Sequence, residues 1–183
     1  MKKIFTVALV ALGLAFSTNT HAQGVKLGYI SVDNMVGLMP ETAKIDSLME
    51  KYQTDSLNPQ YAYIVGEYQR KDSMYRDSLH TPAAVRKQIG EELPTLIYQI
   101  QNWQSIVQHA SEAKQNELLK PIYTKVYDAI KAVAKEKGYT HVFNKEAFLV
   151  APEGDDIILQ VAAKLKVNVP QAQKAPATKP AGN

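Results

Sequence analysis

The strongest constraint on the fold of this chain is a run of apolar residues spaced alternately by four and three positions. Such spacing keeps every member on one face of an α-helix and is typical of a helix that packs lengthwise against another helix. Pro94 lies within the run, and its apolar neighbours on both sides indicate that the helix continues there with a kink. The run consists of Ile89, Leu93, Leu96, Ile100, Trp103, Val107 and Ala110.

A second apolar stripe precedes this run and predicts the partner helix. Pro59 falls inside the stripe and predicts a kink or break, because proline removes a backbone hydrogen bond. Between the two stripes, residues 78–82 favour a turn in which Thr81 is the expected N-cap and Pro82 is the first helical residue. The members of the stripe are Leu57, Tyr61, Ile64, Tyr68, Tyr75 and Leu79.

The two stripes together predict an antiparallel helical hairpin. Its helices would cover about residues 41–79 and 82–120, with the tip near 78–84. At 1.5 Å per residue, each helix would reach roughly 58 Å. A lone helical pair of this length has a thin core and gains little burial per residue, so it needs support at one end or a partner chain. This argument predicts oligomerisation.

The segments that flank the hairpin predict a small body containing β-structure. Residues 26–32 form the first strand candidate, because they are rich in aromatic and β-branched residues. The remaining elements are a separate helix after Pro121 that ends at Gly138, strands over 139–144 and 147–150 joined by a turn, and a final helix capped by Asp155-Asp156.

The predicted fold class is therefore mainly α with a small β body (α+β). A long antiparallel helical hairpin arm, residues 41–117, projects from a small β-containing oligomerisation body made of residues 23–40 and 118–167. The apolar residues predicted to build that body are Leu27, Ile30, Val32, Val142, Phe143, Ile157, Ile158, Val161 and Leu165.

The two ends of the chain predict export and an unstructured tail. Residues 1–22 combine a short basic start, an apolar run and small residues at Thr20 and Ala22, the pattern of a cleaved secretory signal peptide. The alternative is a membrane anchor, but a bilayer span needs roughly 20 apolar residues, and this run is shorter. Residues 168–183 are rich in Pro, Ala and Lys and predict a disordered tail.

The charge pattern singles out the hairpin tip. The net charge of +3, from 21 Lys and Arg against 18 Asp and Glu, is too small to indicate nucleic-acid binding. All three arginines nevertheless fall in one basic segment between two acidic ones. Two interpretations stay open: an ordinary solvated surface, or electrostatic binding of a client or an anionic membrane surface. The cations of this segment are Arg70, Lys71, Arg76, Arg86 and Lys87.

The aromatic residues of the two stripes also have two open interpretations. A stripe at helical spacing usually packs against its partner helix, and contact with a bound client is the alternative. The residues that could make such client contacts are Tyr61, Tyr68, Tyr75 and Trp103.

The sequence contains no evident catalytic constellation. It has no cysteine, which excludes disulfides and thiolate metal sites, and its four histidines include no pair four positions apart. Neither a glycine-rich nucleotide loop nor a GxSxG nucleophile motif occurs. We therefore expect no enzymatic activity, no metal and no cofactor.

Three blocks of the sequence carry a family resemblance. They are KLGYISVD at 26–33 running to Met39-Pro40-Glu41, ELLKPI at 117–122 continuing through Gly138-Tyr139 to Val142-Phe143-Asn144, and Asp155-Asp156-Ile157 with Val161 and Leu165. In these blocks, over about residues 24–167, the chain resembles the Skp/OmpH family of periplasmic holdase chaperones for outer-membrane proteins. The Tyr-rich arm with Pro59 and Pro94, and the extra tail, depart from the family pattern.

The resemblance implies a periplasmic homotrimer whose three arms enclose a cavity for unfolded clients, without ATP. The leading hypothesis is an ATP-independent holdase that binds unfolded outer-membrane β-barrel proteins and prevents their aggregation before membrane insertion. The alternative is a periplasmic coiled-coil adaptor or scaffold that binds a folded envelope partner.

Overall fold

A computed structural model describes residues 24–170. The predicted signal peptide, and residues 171–183 of the predicted tail, lie outside the described residues. In chain order the strands and helices are β1 Leu27–Ile30, α1 Val32–Gly37, α2 Ile45–Tyr52, α3 Asn58–Arg76, α4 Ala83–Gln101, α5 Trp103–Lys137, β2 His141–Asn144 and α6 Ile158–Leu165. This mainly helical structure with a small sheet confirms the predicted fold class.

The sheet of the body consists of two parallel strands. β1 pairs with β2 in a register that runs from Leu27 opposite His141 to Ile30 opposite Asn144. Parallel strands cannot be joined by a tight turn and need a crossover connection. Here the crossover contains the whole helical hairpin, so the sheet joins the two ends of the arm.

The prediction of a β-hairpin over residues 139–150 is wrong. Lys145–Ala147 forms a 3-10 turn, and residues 148–150 form no strand. The segment after β2 is instead tied to the body, because the Ser31 hydroxyl donates to Glu146 Oε1 at 2.6 Å and the Lys145 ammonium lies 3.6 Å from Asp156. The partner of β2 is therefore β1.

The hydrophobic core lies where the C-terminal half of α5 packs against β1, α1 and α6. On α5 the buried residues recur every three or four positions, which places them on one face of the helix. Val167 and Val169 pack against the same core, so the body reaches into the segment predicted as tail. The core consists of Ile30, Val32, Met35, Val36, Met39, Ile45, Ile122, Val126, Ala129, Ile130, Val133, Ile157, Ile158, Val161 and Ala162.

The prediction of a separate helix after Pro121 is also wrong, because α5 continues without a break through that proline. Proline lacks the N–H that would bond the carbonyl four residues earlier. The neighbouring Leu118, Leu119 and Ile122 all pack against the core, and this packing holds the helix together across the lost bond. As a result, one helix reaches from the body into the arm.

The arm is formed by two antiparallel helical runs. The first passes from α2 through a π-helical turn at Gln53–Leu57 into α3, with Pro59 in the first turn of α3, so the chain is not broken there. Pro94 lies inside α4, which continues through it as predicted.

Two helix starts differ in detail from the sequence prediction. Thr81 is not an N-cap, because α4 begins at Ala83 after Pro82 and no side chain caps it. At α6 the N-cap is Ile157 and neither predicted aspartate. Asp156, one residue earlier, accepts a hydrogen bond at its Oδ1 from the Ile158 N–H at 2.9 Å, and Asp155 lies in a 3-10 turn.

Two of the ion pairs between separate segments lie at the base of the arm and within it. At the base of the arm, Lys125 Nζ lies 2.6 Å from Glu41 Oε1, and this hydrogen bond is the main cause that lowers the pKa of Glu41. Within the arm, Lys71 on α3 pairs with Glu92 on α4, and the pKa of Glu92 is lowered chiefly by that bond and secondarily by Gln88. Both pairs favour the ionised carboxylate.

The close approach of Gly28 to Tyr139 generates the first prediction. A Cβ at Gly28 would lie 3.0 Å from two ring atoms of Tyr139 and 3.2 Å from Ile157 Cγ2. We expect Gly28→Ala to lower the free energy of unfolding by about 1–3 kcal/mol, because the crowded body must shift.

The matched control is Gly66→Ala on α3, where a Cβ would meet nothing within 4 Å. Alanine is the better helix former, so this change should stabilise by about 0.5–1 kcal/mol. The measurement is urea denaturation at one protein concentration. Equal midpoints for the two variants would contradict the packing described at Gly28.

The ion pairs of Glu41 and Glu92 generate a second prediction, which concerns how the stability of the protein depends on pH. A carboxyl group whose pKa is lowered by folding contributes stability that is present above its unfolded pKa and is lost as the pH falls through its folded pKa. We therefore expect the wild-type protein to lose stability below about pH 4, and the double variant Glu41→Gln/Glu92→Gln to lose less over the same interval.

The control for this experiment is Glu50→Gln/Glu91→Gln. Both glutamates are exposed and form no ion pair with any residue between 24 and 170. Urea midpoints at about pH 6 and about pH 3 give the comparison. If the two double variants lose equal stability on acidification, the ion pairs do not carry the pH dependence.

Candidate interaction surfaces

The apolar stripes predicted on the sequence meet along the seam between the arm helices. Leu57 and Ile64 from the first stripe are buried, as are Ile89 and Leu93 from the second. The rings of Tyr61 and Trp103 lie 5.2 Å apart between centroids, one from each helical run. The seam itself is therefore a packed interface.

The four aromatic residues singled out on the sequence lie along this seam. Tyr68 and Trp103 are half-buried, whereas Tyr61 and Tyr75 keep part of their rings in solvent. The Tyr75 ring lies against Gly90, whose missing side chain makes room for it. These positions favour helix packing as their main role and leave exposed ring edges along one side of the arm.

Two more exposed aromatic residues on the arm were missed by the sequence analysis. Tyr63 is 69% exposed and Tyr98 is 64% exposed. Both lie two positions from a seam residue, Tyr61 and Leu96, and therefore on the polar side of their helices. A tyrosine at a position where helical periodicity calls for a polar residue was the signal that could have identified them.

The tip of the arm is a tight turn organised by Asp77. Its Oδ1 accepts hydrogen bonds from the backbone N–H groups of Leu79 and His80 at 3.2 and 3.0 Å, and the His80 Nδ1 lies 2.9 Å from its Oδ2. These bonds from His80 and then Leu79 lower the pKa of Asp77. The apex of the turn presents the Leu79 side chain, which is 90% exposed.

The five cations predicted for the tip are not equivalent in the structure. Arg70 pairs with Glu67 at 2.8 Å, Arg76 pairs with Asp72 at 2.9 Å, and Lys71 pairs with Glu92. The hydrogen bonds that Arg70 donates to the Glu67 carboxylate raise the pKa of the Arg70 guanidinium.

The other two predicted cations lie in the first turns of α4. Within residues 24–170, Lys87 takes part in no ion pair, and the buried Nε of Arg86 has no hydrogen-bond partner. The basic end of the arm consists of Arg76, which is paired with Asp72, and of Arg86 and Lys87, which form no ion pair within residues 24–170.

The body has an exposed apolar edge on the side of β2. The Phe143 and Phe148 rings meet edge-on at 5.4 Å between centroids, and both are partly exposed, as is Leu27 on β1. Leu149 and Val150 follow with almost no protection from solvent. Within the described residues, β1 is the only strand partner of β2, so its other edge carries unpaired backbone groups.

The residues predicted for oligomerisation divide into two groups. In the first group, Phe143 on β2 and Leu27 on β1 are partly exposed, and Val142 and Leu165 are half-buried. The others are buried inside the core of the chain itself, where they support the edge from behind. These buried members are Ile30, Val32, Ile157, Ile158 and Val161.

Residues 24–170 show neither a metal-binding cluster nor a membrane-spanning helix. Between residues 24 and 170, no group of three or more acidic or histidine side chains is arranged to hold a metal ion. Over the same stretch, no helix combines the length and apolarity that a membrane crossing requires.

A family and two known proteins are similar to this chain. The family described as outer membrane protein (OmpH-like) matches residues 26–165. The chaperone protein Skp of Pectobacterium atrosepticum is 23% identical over 169 residues, which cover 91% of this chain and 100% of that protein. A crystal structure of an OmpH-like outer membrane chaperone from Caulobacter crescentus is 17% identical, with a TM-score of 0.48, and covers 82% of this chain and 89% of that one.

The family match spans both the body and the arm and covers well over half of the chain. It includes β1, the whole hairpin, β2 and α6 up to Leu165. The chain belongs to the OmpH-like family.

Proposed function

We propose that this protein is an exported, ATP-independent chaperone that holds unfolded outer-membrane proteins in the periplasm and prevents their aggregation before membrane insertion. Membership of the family and the similarity to a chaperone named Skp support a chaperone role. The holding mechanism rests on the shape and surface of the arm.

The observation that carries the proposal is the contrast between body and arm. The connected core belongs to the body, while the hairpin from α3 to α4 buries only a narrow line of apolar side chains. From Met49, at the edge of the core, to the tip the arm extends about 40 Å at 1.5 Å per residue. Such a surface offers many shallow contacts.

Exposed tyrosines suit contact with an unfolded chain. Tyr63 and Tyr98 each present a flat apolar ring with a polar hydroxyl, which can contact either the apolar or the polar residues of a strand. Unfolded β-barrel proteins alternate between these two residue types and aggregate through unpaired strand edges. Weak contacts spread over an arm would hold such a chain and release it without nucleotide.

The exposed edge of the body supports a homo-oligomer. A free strand edge with exposed apolar side chains such as Phe143, Leu149 and Val150 is a surface that other chains cover in stable proteins. We propose that copies of this chain associate there so that several arms surround one client, and that they form the trimer that the family resemblance implies.

The third prediction is suppression of aggregation. We expect the mature chain, Gln23–Asn183, to abolish light scattering when an unfolded outer-membrane β-barrel protein is diluted from urea, at stoichiometric amounts and without nucleotide. The same barrel already folded in detergent micelles serves as the control and should not bind. Undiminished scattering would overturn the holding mechanism, and stoichiometric binding of one folded envelope protein would favour an adaptor.

The fourth prediction concerns the basic end of the arm, which we propose binds anionic groups of a client or of a membrane surface. Arg76→Glu/Lys87→Glu should weaken binding to vesicles containing phosphatidylglycerol by roughly ten-fold or more, because each cation near an anionic surface contributes about 1 kcal/mol. Co-sedimentation at low salt measures the change.

The matched control variant is Lys131→Glu/Lys135→Glu on the exposed side of α5. It changes the net charge equally, and Lys131, like Arg76, pairs with an aspartate on its own helix. Equal loss of vesicle binding in both variants would show that binding depends on the net charge of the protein and not on the position of the cations at the tip.

A further inference from the structure

A row of four rings crosses the sheet of the body. It begins at Tyr29 and continues to Phe148, with 5.8 Å between the ring centroids. The Phe143 ring follows at 5.4 Å, and the His141 imidazole stacks on it at 6.2 Å with an angle of 17° between the planes. Tyr29 is buried, the two phenylalanines are partly exposed, and His141 is exposed. We call these four residues the aromatic row.

The aromatic row lies on the face of the sheet that points away from the core. Side chains alternate between the two faces of a strand, and Ile30 and Val142 pack in or against the core. His141 and Phe143 therefore lie on the opposite face. Leu27, which is opposite His141 in the register of the strands, is partly exposed there as well. An apolar face of this kind in contact with water indicates a surface that a partner covers.

A second copy of this chain is the partner that this face fits. Within residues 24–170 the sheet has only two strands, fewer than a sheet usually needs to be stable. The free edge through which we proposed that copies associate belongs to β2, the strand that carries His141 and Phe143. Because the aromatic row is continuous with that edge, a copy that associates there also covers His141.

The hydrogen bonds around His141 assign the nitrogen that would take up a proton. The Thr140 hydroxyl donates its hydrogen to the Lys26 carbonyl at 2.9 Å. Its oxygen can therefore only accept from His141 Nδ1, which lies 3.2 Å away. In the neutral imidazole Nδ1 thus carries the hydrogen, and Nε2 is the atom that is protonated when the pH falls.

The charged groups near the aromatic row have other partners. Lys145 lies 3.6 Å from Asp156, and Glu146 accepts a hydrogen bond from Ser31. Among residues 24–170, the ion pairs that involve histidine are those of His80 and His109, so His141 has no carboxylate at ion-pair distance. The charged side chains of β1 and its flank, of the segment after β2 and of the turn before α6 are Lys26, Lys145, Glu146, Glu153, Asp155 and Asp156.

We propose that His141 makes the association of copies depend on pH, because the neutral imidazole is accommodated between copies whereas its protonation drives them apart. This inference rests on the homo-oligomer proposed above and adds a regulation to it. In a mildly acidic medium the arms that surround one client would then separate.

The direction of the pH effect follows from proton linkage. Burial between copies disfavours the imidazolium, so separated chains bind protons more readily than the assembly does. Association is therefore strongest above about pH 7 and weakens below about pH 6.5, where histidines ordinarily gain a proton. At about pH 5.5 each copy contributes a loss of roughly ten-fold, which amounts to roughly a thousand-fold in the association constant of three copies.

The test measures the mass of the mature chain, Gln23–Asn183, by sedimentation velocity over a range of protein concentrations at about pH 7.5 and about pH 5.5. We expect the concentration of half-assembly to rise by at least ten-fold at the lower pH. Circular dichroism on the same samples separates dissociation from unfolding. An unchanged concentration would overturn the inference and leave the homo-oligomer standing, whereas a monomer at both pH values would overturn the homo-oligomer itself.

Two variants assign the effect to His141. His141→Gln takes up no proton and should assemble equally well at both pH values. The matched control is His109→Gln, which removes an exposed imidazole from the arm, 3.9 Å from Glu112, and should keep the full response. Equal responses of the two variants would contradict the role of His141. If His141→Gln does not fold, His141→Phe replaces it, because a phenyl ring keeps the stacking on Phe143 and does not titrate.

Discussion

The structure depends on the burial of one face of α5 against the rest of the body. Ile122, Val126 and Ile130 lie on that face, and β1, α1 and α6 all contribute side chains to the same core. The same helix continues through Pro121 into the arm. The packing of α5 against the body therefore sets the direction of the arm. The parallel pairing of β1 with β2 joins the segments that precede and follow the arm.

The division of burial between body and arm explains how the molecule can act. Hydrophobic stabilisation is proportional to the apolar area removed from water, so the body supplies most of it. The arm is left with a narrow seam and a large exposed surface. That surface carries Tyr63 and Tyr98 along its sides and Leu79 with Arg86 and Lys87 near its end. A structure of this kind suits many weak contacts better than a single fixed binding pose.

The helical hairpin could be predicted from the sequence because helix packing has a local signature. The spacing of Ile89, Leu93 and Ile100 identified the seam without any knowledge of the partner. The basic end was visible too, since all the arginines lie close together in sequence. Which cations are neutralised was not visible, because Lys71 meets Glu92 only after the chain has folded back on itself.

Proline and strand predictions failed where tertiary packing outweighed local preference. Pro121 marks a helix break by its chemistry, but the neighbouring Leu118 and Leu119 pack against the core and hold α5 together. Residues 147–150 are good strand formers, but the contacts of Lys145 and Glu146 with the body turn the chain away from β2. By itself the sequence determined the helices of the arm, the apolar seam between them and the position of the basic segment. These features follow from residues that are close together in the chain. Only the tertiary structure decided strand pairing, the continuity of α5 and the ion pairs between different helices, because each depends on residues that are distant in the chain.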